Sequence, residues 1–152
     1  MEIKEEYMDL LSVDDNEYYL VQCISADFAT VTGIILPSDK KYNYYDLRSK
    51  LKETFGDNLV KNYPKLNCIL CDNRVFNLIV KKNNRQNQTY ESVEDSLIEM
   101  KKLLLKCPLI KTNKIAISNQ GLDTLDWEKI KLLIEKVFQD TNAEFLICEY
   151  KK

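Results

Sequence analysis

The sequence contains no histidine, and this absence excludes several kinds of site. Without an imidazole the chain cannot form a Ser-His-Asp triad or a Cys-His pair. A zinc site would have to be built from cysteine and carboxylate ligands alone. Any general acid or base must therefore be an Asp, Glu, Lys, Tyr or Cys side chain.

Glycine and proline are also scarce, with three of each, and long apolar runs are missing. So few glycines and prolines leave little room for long flexible loops, and the sequence shows no repeat or low-complexity tract. No apolar run is long enough to span a bilayer, and the charged residues 1–6 are unlike a signal peptide. We therefore expect a single domain over residues 1–152, monomeric and cytoplasmic, with no membrane partner.

The net charge and the cysteines narrow the class of protein further. A formal net charge of −2 gives no overall attraction to nucleic acid or to an acidic membrane. Five cysteines form an odd set, which is typical of a reducing compartment. Cys68 and Cys71 have CxxC spacing, but residues three apart in a strand face opposite sides. We therefore expect two core thiols, no metal site and no cofactor.

Hydrophobic periodicity indicates strands that alternate with helices. One helix is predicted from Tyr44 to Phe55 with Gly56 as its C-cap, and another from Val93 to Leu104. The second helix has Thr89 or Ser92 as its N-cap. A third helix carries Trp127, Ile130, Ile134 and Val137 on one face. Strands are predicted at residues 18–25, 68–71, 75–80, 114–117 and 144–150, with a hairpin turning at residues 72–73. This order is typical of an α/β protein with a mixed sheet.

Residues 121–130, Gly-Leu-Asp-Thr-Leu-Asp-Trp-Glu-Lys-Ile, join a predicted strand to the last helix. A glycine at such a junction lets the backbone approach a ligand, and the helix N-terminus suits an anion. Asp123 would then lie beside a bound ligand. The alternative is an ordinary loop in which Asp126 caps the helix.

Three segments, in matching order and spacing, resemble the macro domain branch that includes the terminal ADP-ribose protein glycohydrolase. Residues 21–27, Val-Gln-Cys-Ile-Ser-Ala-Asp, with Gly33-Ile34, are similar to the family's H-C-I-S-x-D…G-A-G-I-A. Residues 78–82, Leu-Ile-Val-Lys-Lys, with Thr-Tyr-Glu-Ser at 89–92, are similar to L-I-T-K-K…P-T-Y-E-N. The third is residues 121–130, beside G-L-D-G-L-x-W-E. The resemblance spans nearly the whole chain and implies a three-layer α/β/α macro domain with a mixed central sheet.

The resemblance also implies a catalytic pair. Lys81 matches the family's nucleophile, which attacks the anomeric carbon of the distal ribose and forms a covalent lysyl adduct. Asp123 matches the aspartate that resolves this adduct as a general acid and base. An alternative, from position alone, is that Lys81 and Lys82 are simply solvent-exposed charges at the end of a strand.

The remaining implied site residues contact the ligand. Asp9 matches an aspartate that accepts a hydrogen bond from the adenine amino group, although alone it is also explained as a turn residue. Ser25 stands where other branches carry a catalytic asparagine and this branch carries serine, which favours the lysine mechanism. The other residues implied to contact the ligand are Gly33, Ile34, Asn119, Gly121, Leu122 and Tyr150, the last packing on the adenine.

Two departures from the family pattern fall in the loops that wrap the pyrophosphate. Val31 replaces the first glycine of G-A-G-I-A, and Asn119 replaces a glycine of P-R-I-G-C-G. Side chains at these positions would crowd the phosphates or disfavour a positive φ.

The sequence therefore predicts an ADP-ribosyl glycohydrolase that acts on ADP-ribose attached to a protein carboxylate or a modified nucleobase. One alternative is a non-catalytic macro domain that binds or sequesters ADP-ribose or another nucleotide. A third reading is a relic that binds only protein. Retention of Lys81 with Asp123 favours the first, and loss of the loop glycines favours the other two.

Overall fold

A computed structural model of the chain describes residues 1–8, 10, 13, 17–27, 31–32, 52–56, 58–71, 74–83, 85–106, 112–118 and 125–149. For residues 31, 32 and 58 it describes the backbone alone. The strands are β1 (Glu2–Tyr7), β2 (Tyr19–Ser25), β3 (Val31–Thr32), β4 (Cys68–Cys71), β5 (Val75–Lys81), β6 (Lys114–Ser118) and β7 (Glu144–Glu149). The helices are a turn at residues 52–55 (α1), α2 (Asn58–Asn62), α3 (Tyr90–Lys106) and α4 (Trp127–Phe138).

The described strands form one mixed sheet in the order β1-β7-β6-β2-β5-β4. The first five of these strands run parallel, while β4 pairs antiparallel with β5. β2 lies at the centre and is buried along its whole length, as expected of a parallel strand covered on both faces. The short β3 pairs antiparallel with Cys23 and Ile24 of β2, on the edge of β2 that faces β6. The predicted mixed sheet is confirmed.

Helices cover both faces of the sheet and bury two separate apolar clusters. On the α3/α4 face, Val93, Met100, Ile130 and Ile134 pack on alternate residues of the central strands. On the α1/α2 face, Leu59 packs on the intervening residues, with Phe55 and Val60 partly buried against the same cluster. Full burial of each large aliphatic side chain contributes about 1.5–3 kcal/mol, so each helix is held mainly by its apolar stripe. The predicted three-layer α/β/α architecture is confirmed.

Capping groups explain where the helices begin and end. Thr89 is the N-cap of α3, because its hydroxyl accepts from the Ser92 amide while the Ser92 hydroxyl accepts from the Thr89 amide. Asp126 caps α4 by accepting from the Glu128 amide at 3.0 Å. Gly56 follows α1 with a φ of 54° and donates its amide to Lys52, so the predicted C-cap is confirmed. The earlier part of that predicted helix lies outside the described residues.

The strand β1 was not predicted. Its sequence, Glu-Ile-Lys-Glu-Glu-Tyr, is mostly charged and largely exposed, because β1 is an edge strand with one neighbour. Its pairing with β7 and an ion pair between Glu5 and Lys131 of α4 hold it in place. Charges on an edge strand also oppose pairing with other chains.

The two cysteines with CxxC spacing diverge as predicted. Cys68 packs in the cluster on the α3/α4 face, whereas Cys71 contacts the cluster on the α1/α2 face. Within the described ranges, no group of three or more Cys, Asp or Glu side chains could hold a metal ion. Of the helices described, none has the length and apolar character needed to cross a membrane.

A buried amide pair links three strands on the α1/α2 side of the sheet. Gln22 of β2 donates through Nε2 to Oδ1 of its register partner Asn77 of β5, at 2.5 Å. Asn77 donates through Nδ2 to the main-chain oxygen of Ile69 in β4, at 3.1 Å. Both side chains are almost completely buried. A slip of one residue would separate the two amides and turn them to opposite faces, so the pair specifies the β2–β5 register.

We expect Asn77→Leu to lower the free energy of unfolding by about 1–3 kcal/mol, because the buried Gln22 amide then loses its acceptor. The double variant Gln22→Met with Asn77→Leu should recover most of this loss, since apolar groups of similar shape replace both partners. Urea unfolding of the two single variants and the double variant measures the coupling. Additive losses would show that the two amides do not act as a pair.

Candidate active site

The five parallel strands end at one edge of the sheet, and their connections make this edge the place where we expect a ligand to bind. The connection from β2 to β5 carries α1 and α2 on one face of the sheet. The connections from β5 to β6 and from β6 to β7 carry α3 and α4 on the other face. Where successive connections change face, the carboxyl ends of the strands leave a crevice that suits a ligand. β2 and β5 meet at this point.

Lys81 and Ser25 are brought together at this edge. Ser25 ends β2 and pairs in register with Lys81, the last residue of β5. The Ala26 amide donates to the Lys81 carbonyl at 2.9 Å, and the Asp27 amide donates to the Lys82 carbonyl at 3.2 Å. Two segments that are distant in sequence are thus fixed side by side, with Lys81 partly exposed.

A β-bulge lies directly before this contact. Ile24 pairs with Ile79 and Ser25 pairs with Lys81, so Val80 is an extra residue in β5. Val80 itself is buried in the cluster on the α3/α4 face. A bulge redirects the side chain that follows it, which is why bulges often adjoin functional sites.

Asp27 is a member of this cluster that the sequence reasoning did not single out. The buried Ser25 hydroxyl donates to Oδ1 of Asp27 at 2.6 Å. Asp27 matches the final aspartate of the H-C-I-S-x-D pattern, so the motif could have identified it as a site residue.

Cys23 lies two residues before Ser25 and is the nearest thiol in β2. Burial raises the pKa of the Cys23 thiol to about 12, because the thiolate is disfavoured away from water. The reactive form of cysteine is the thiolate, so Cys23 is inert near neutral pH.

The remaining predicted site residues lie outside the described residues. They are Asp9, Gly33, Ile34, Asn119, Gly121, Leu122, Asp123 and Tyr150. The strands that precede several of them nevertheless end at the same edge. β1 ends at Tyr7, β6 at Ser118 and β7 at Glu149, one or two residues before Asp9, Asn119 and Tyr150.

The backbone at Val31 differs from the expectation of a strained loop. Val31 lies in β3 and pairs with Ile24 of β2, so it belongs to an extended ladder. β-Branched residues favour extended backbone, and this strand requires no positive φ. The expectation that valine would disfavour a positive φ at this position is therefore wrong. The expectation that side chains in the two loops crowd the phosphates stays a prediction.

Asp126, the residue just before α4, is held by two hydrogen bonds. The Asp126 side chain caps α4, and its main-chain amide donates to the Tyr90 hydroxyl at 2.8 Å. The capping role that was the alternative explanation of this segment is thus confirmed for Asp126. It does not compete with a ligand role for Asp123, because the two roles fall on different residues.

Comparison with known proteins defines the family. No family model matches the chain. The macrodomain of Mycobacterium tuberculosis DarG aligns with a TM-score of 0.60 at 16% identity, covering 99% of this chain and 97% of that one. Thermosipho africanus DarTG aligns with a TM-score of 0.51 at 13% identity, covering 99% of this chain and 42% of the other. Bovine ADP-ribose glycohydrolase OARD1 is 31% identical over 129 residues, which are 84% of this chain and 79% of the relative.

This chain belongs to the macro domain family. The two structures establish the fold at low identity, and the curated relative matches most of the sequence. The resemblance to the terminal ADP-ribose protein glycohydrolase branch is confirmed by that relative.

For this macro domain we expect Asp27→Ala to lower the free energy of unfolding by about 1–3 kcal/mol, because the buried Ser25 hydroxyl loses an acceptor. Asp27→Asn is the matched control, since its amide oxygen can still accept the bond. Ser25→Ala removes the hydroxyl itself, so adding Asp27→Ala to it should cost little more. Urea unfolding of the four variants provides the test, and a full additional loss in the double variant would rule out the coupling.

Proposed function

We propose that this macro domain binds ADP-ribose and releases it from carboxylate-linked protein or a modified nucleobase, with Lys81 as nucleophile and Asp123 as general acid and base. The observation that carries the proposal is the fixed position of Lys81. Its carbonyl is bonded to Ala26 beside Ser25, at the edge of the sheet where the parallel strands end. Lys81 is partly exposed at this position, which suits a residue that reaches a bound ligand.

Two relatives support the choice of ligand. OARD1, which shares 31% identity with this chain, is named an ADP-ribose glycohydrolase. The Thermosipho DarTG structure, which shares the fold, is a complex with ADP-ribose. Together with the three matching segments, these relatives favour ADP-ribose over other nucleotides as the ligand.

The proposed reaction has two steps. In the first, the Lys81 nitrogen forms a bond to the anomeric carbon of the distal ribose, and the bond from that carbon to the acceptor oxygen breaks. The acceptor leaves as a carboxylate, and the proton that the nitrogen releases passes to solvent water, which leaves a neutral lysyl adduct. In the second step Asp123 accepts a proton from water, whose oxygen bonds to the anomeric carbon, and Asp123 gives this proton to the lysine nitrogen as that nitrogen leaves.

The described residues restrict which groups can perform these steps. The chain has no histidine, so proton transfer falls to a carboxylate, a lysine or a tyrosine. The Cys23 thiol is buried and protonated. Asp27 accepts a hydrogen bond from the Ser25 hydroxyl, and the resemblance to the family assigns the second step to Asp123.

A non-catalytic role is the second candidate, and one observation favours it. Asn119 replaces a glycine of the phosphate loop, directly after the buried strand β6. A side chain there can exclude the pyrophosphate and admit another nucleotide. In that case the macro domain would bind or sequester its ligand without turnover.

We expect Lys81→Ala to abolish release of ADP-ribose from a glutamate-linked peptide while binding of free ADP-ribose persists. Asp123→Ala should stop the reaction after its first step and retain one ADP-ribosyl group on Lys81, visible by intact-protein mass spectrometry. Lys82→Ala is the matched control, because it removes a neighbouring charge but not the proposed nucleophile. It should retain most of the activity.

Two results would contradict the catalytic proposal. One is a wild-type protein that releases nothing from glutamyl, aspartyl or nucleobase linkages. The other is an adduct in Asp123→Ala that persists when Lys81 is also replaced. If ADP-ribose still binds in the first case, the non-catalytic candidate is supported.

The two departures in the phosphate loops are separable by single substitutions. Asn119→Gly should tighten ADP-ribose binding by about tenfold or more, since recovery of a charge-assisted hydrogen bond to phosphate contributes roughly 1.5–3 kcal/mol. Val31→Gly should not tighten it, because β3 is extended and glycine loses more entropy there. Isothermal titration with ADP-ribose measures both dissociation constants. Unchanged or weaker binding in Asn119→Gly would show that the loop is adapted to a different ligand.

A further inference from the structure

The edge strand β1 presents main-chain hydrogen-bonding groups away from the sheet. Among the strands that the structure describes, β1 pairs with β7 alone. The Glu2 amide donates to the Ala143 carbonyl at 3.0 Å, and a parallel ladder uses the main-chain groups of every second residue on each side. The N–H and C=O groups of Ile3 and Glu5 therefore point away from β7, in the direction from which another strand would approach.

A hollow of about 560 Å³ lies between β1 and α4 and is called the α4 hollow below. The described residues that line it are Ile3, Glu5, Glu128, Lys131, Leu132 and Glu135. Three of these residues are carboxylates and one is a cation. The Lys131 ammonium is already bonded to Glu5 at 2.5 Å and to Glu128 at 2.9 Å. The α4 hollow is therefore negatively charged, and Ile3 and Leu132 add apolar surface to it.

A second hollow, of about 330 Å³, lies on the other face of β1 and carries less net charge. Its three carboxylates meet two ammonium groups, those of Lys4 and Lys114. Met8, Val13 and Leu146 give it apolar walls, since they belong to or pack against the cluster on the α1/α2 face. The two faces of this edge thus differ, with an acidic hollow on one side and a more nearly neutral hollow on the other.

These charges decide which strand the edge can accept. Successive side chains of an added strand would point alternately to the two faces and so into the two hollows. A second copy of β1 is a poor match, because this strand carries three glutamates and one lysine and would set acid against acid. Basic side chains suit the α4 hollow, and apolar side chains suit the second hollow.

We propose that the open edge of β1 binds an extended peptide segment in which basic and apolar residues alternate. The peptide adds a strand to the sheet, and its main chain bonds to the outward groups of Ile3 and Glu5. Three strands separate β1 from β5, which carries Lys81. The inference therefore goes beyond the proposed function and does not depend on it.

The first test uses a fluorescent octapeptide that alternates lysine and valine, with binding measured by anisotropy. The peptide should bind, and its affinity should fall as salt is added, because salt screens exposed charges. An octapeptide that alternates glutamate and valine is the control and should not bind. Equal binding of the two peptides, or failure of the lysine peptide to bind at low salt, would overturn the inference.

The second test moves one charge on the protein. Glu135→Lys should weaken binding of the lysine peptide by about threefold or more, because an attractive charge in the α4 hollow becomes a repulsive one. Glu53→Lys is the matched control, since it makes the same change in net charge at an exposed residue of α1, on the other face of the sheet. It should bind like wild type. Equal weakening in both variants would show that net charge alone attracts the peptide, which contradicts a site at β1.

The third test asks whether the peptide adds a strand. The amide hydrogens of Ile3 and Glu5 should become protected from exchange when the lysine peptide is bound, as measured by NMR. Binding without this protection would overturn the inference. Protection that rises with protein concentration in the absence of peptide would assign the edge to a second copy of the chain and would also overturn it.

Methylation of the peptide main chain provides an independent check. In an extended strand the N–H groups of the lysines point to one edge and those of the valines to the other. Of two peptides, one N-methylated at every lysine and one at every valine, one should bind and the other should fail. Undiminished binding of both would show that the peptide does not pair with β1.

Discussion

The hydrogen bond between the buried amides of Gln22 and Asn77 is the contact on which the arrangement of the site depends. It aligns β2 with β5, and the Asn77 amide extends the same constraint to β4. Three residues further along β2, this register and the extra residue Val80 together place Ser25 beside Lys81. Apolar side chains would bury comparable surface, but they would not distinguish one register from its neighbours as sharply.

The two residues of the proposed chemistry come from different parts of the chain. Lys81 is set by main-chain pairing inside the sheet, where its position depends on strands buried on both faces. Asp123 follows β6 in the sequence and lies outside the described residues.

Much of the fold followed from the sequence, because the central elements have unmistakable apolar patterns. β2 and the helix α4 were predicted within a residue or two, since burial on one or both faces dictates their periodicity. β1 was missed because an exposed edge strand needs no apolar pattern and this one is mostly charged. In the site, Lys81 and Ser25 came from the family resemblance. The Asp27 contact and the extended backbone at Val31 were not predicted, because neither produces a periodic apolar pattern in the sequence.

The bulge at Val80 gives the site an unusual sensitivity to chain length. A loop can usually absorb the loss of one residue, but β5 is held on both sides by β2 and β4. Removing Val80 would bring Lys81 into the place of a residue buried on the α3/α4 face, and Lys82 would follow it at the end of the strand. The pairing of Lys81 with Ser25 therefore depends on the exact number of residues in β5. A related chain without the extra residue would present a different residue of this strand beside the serine.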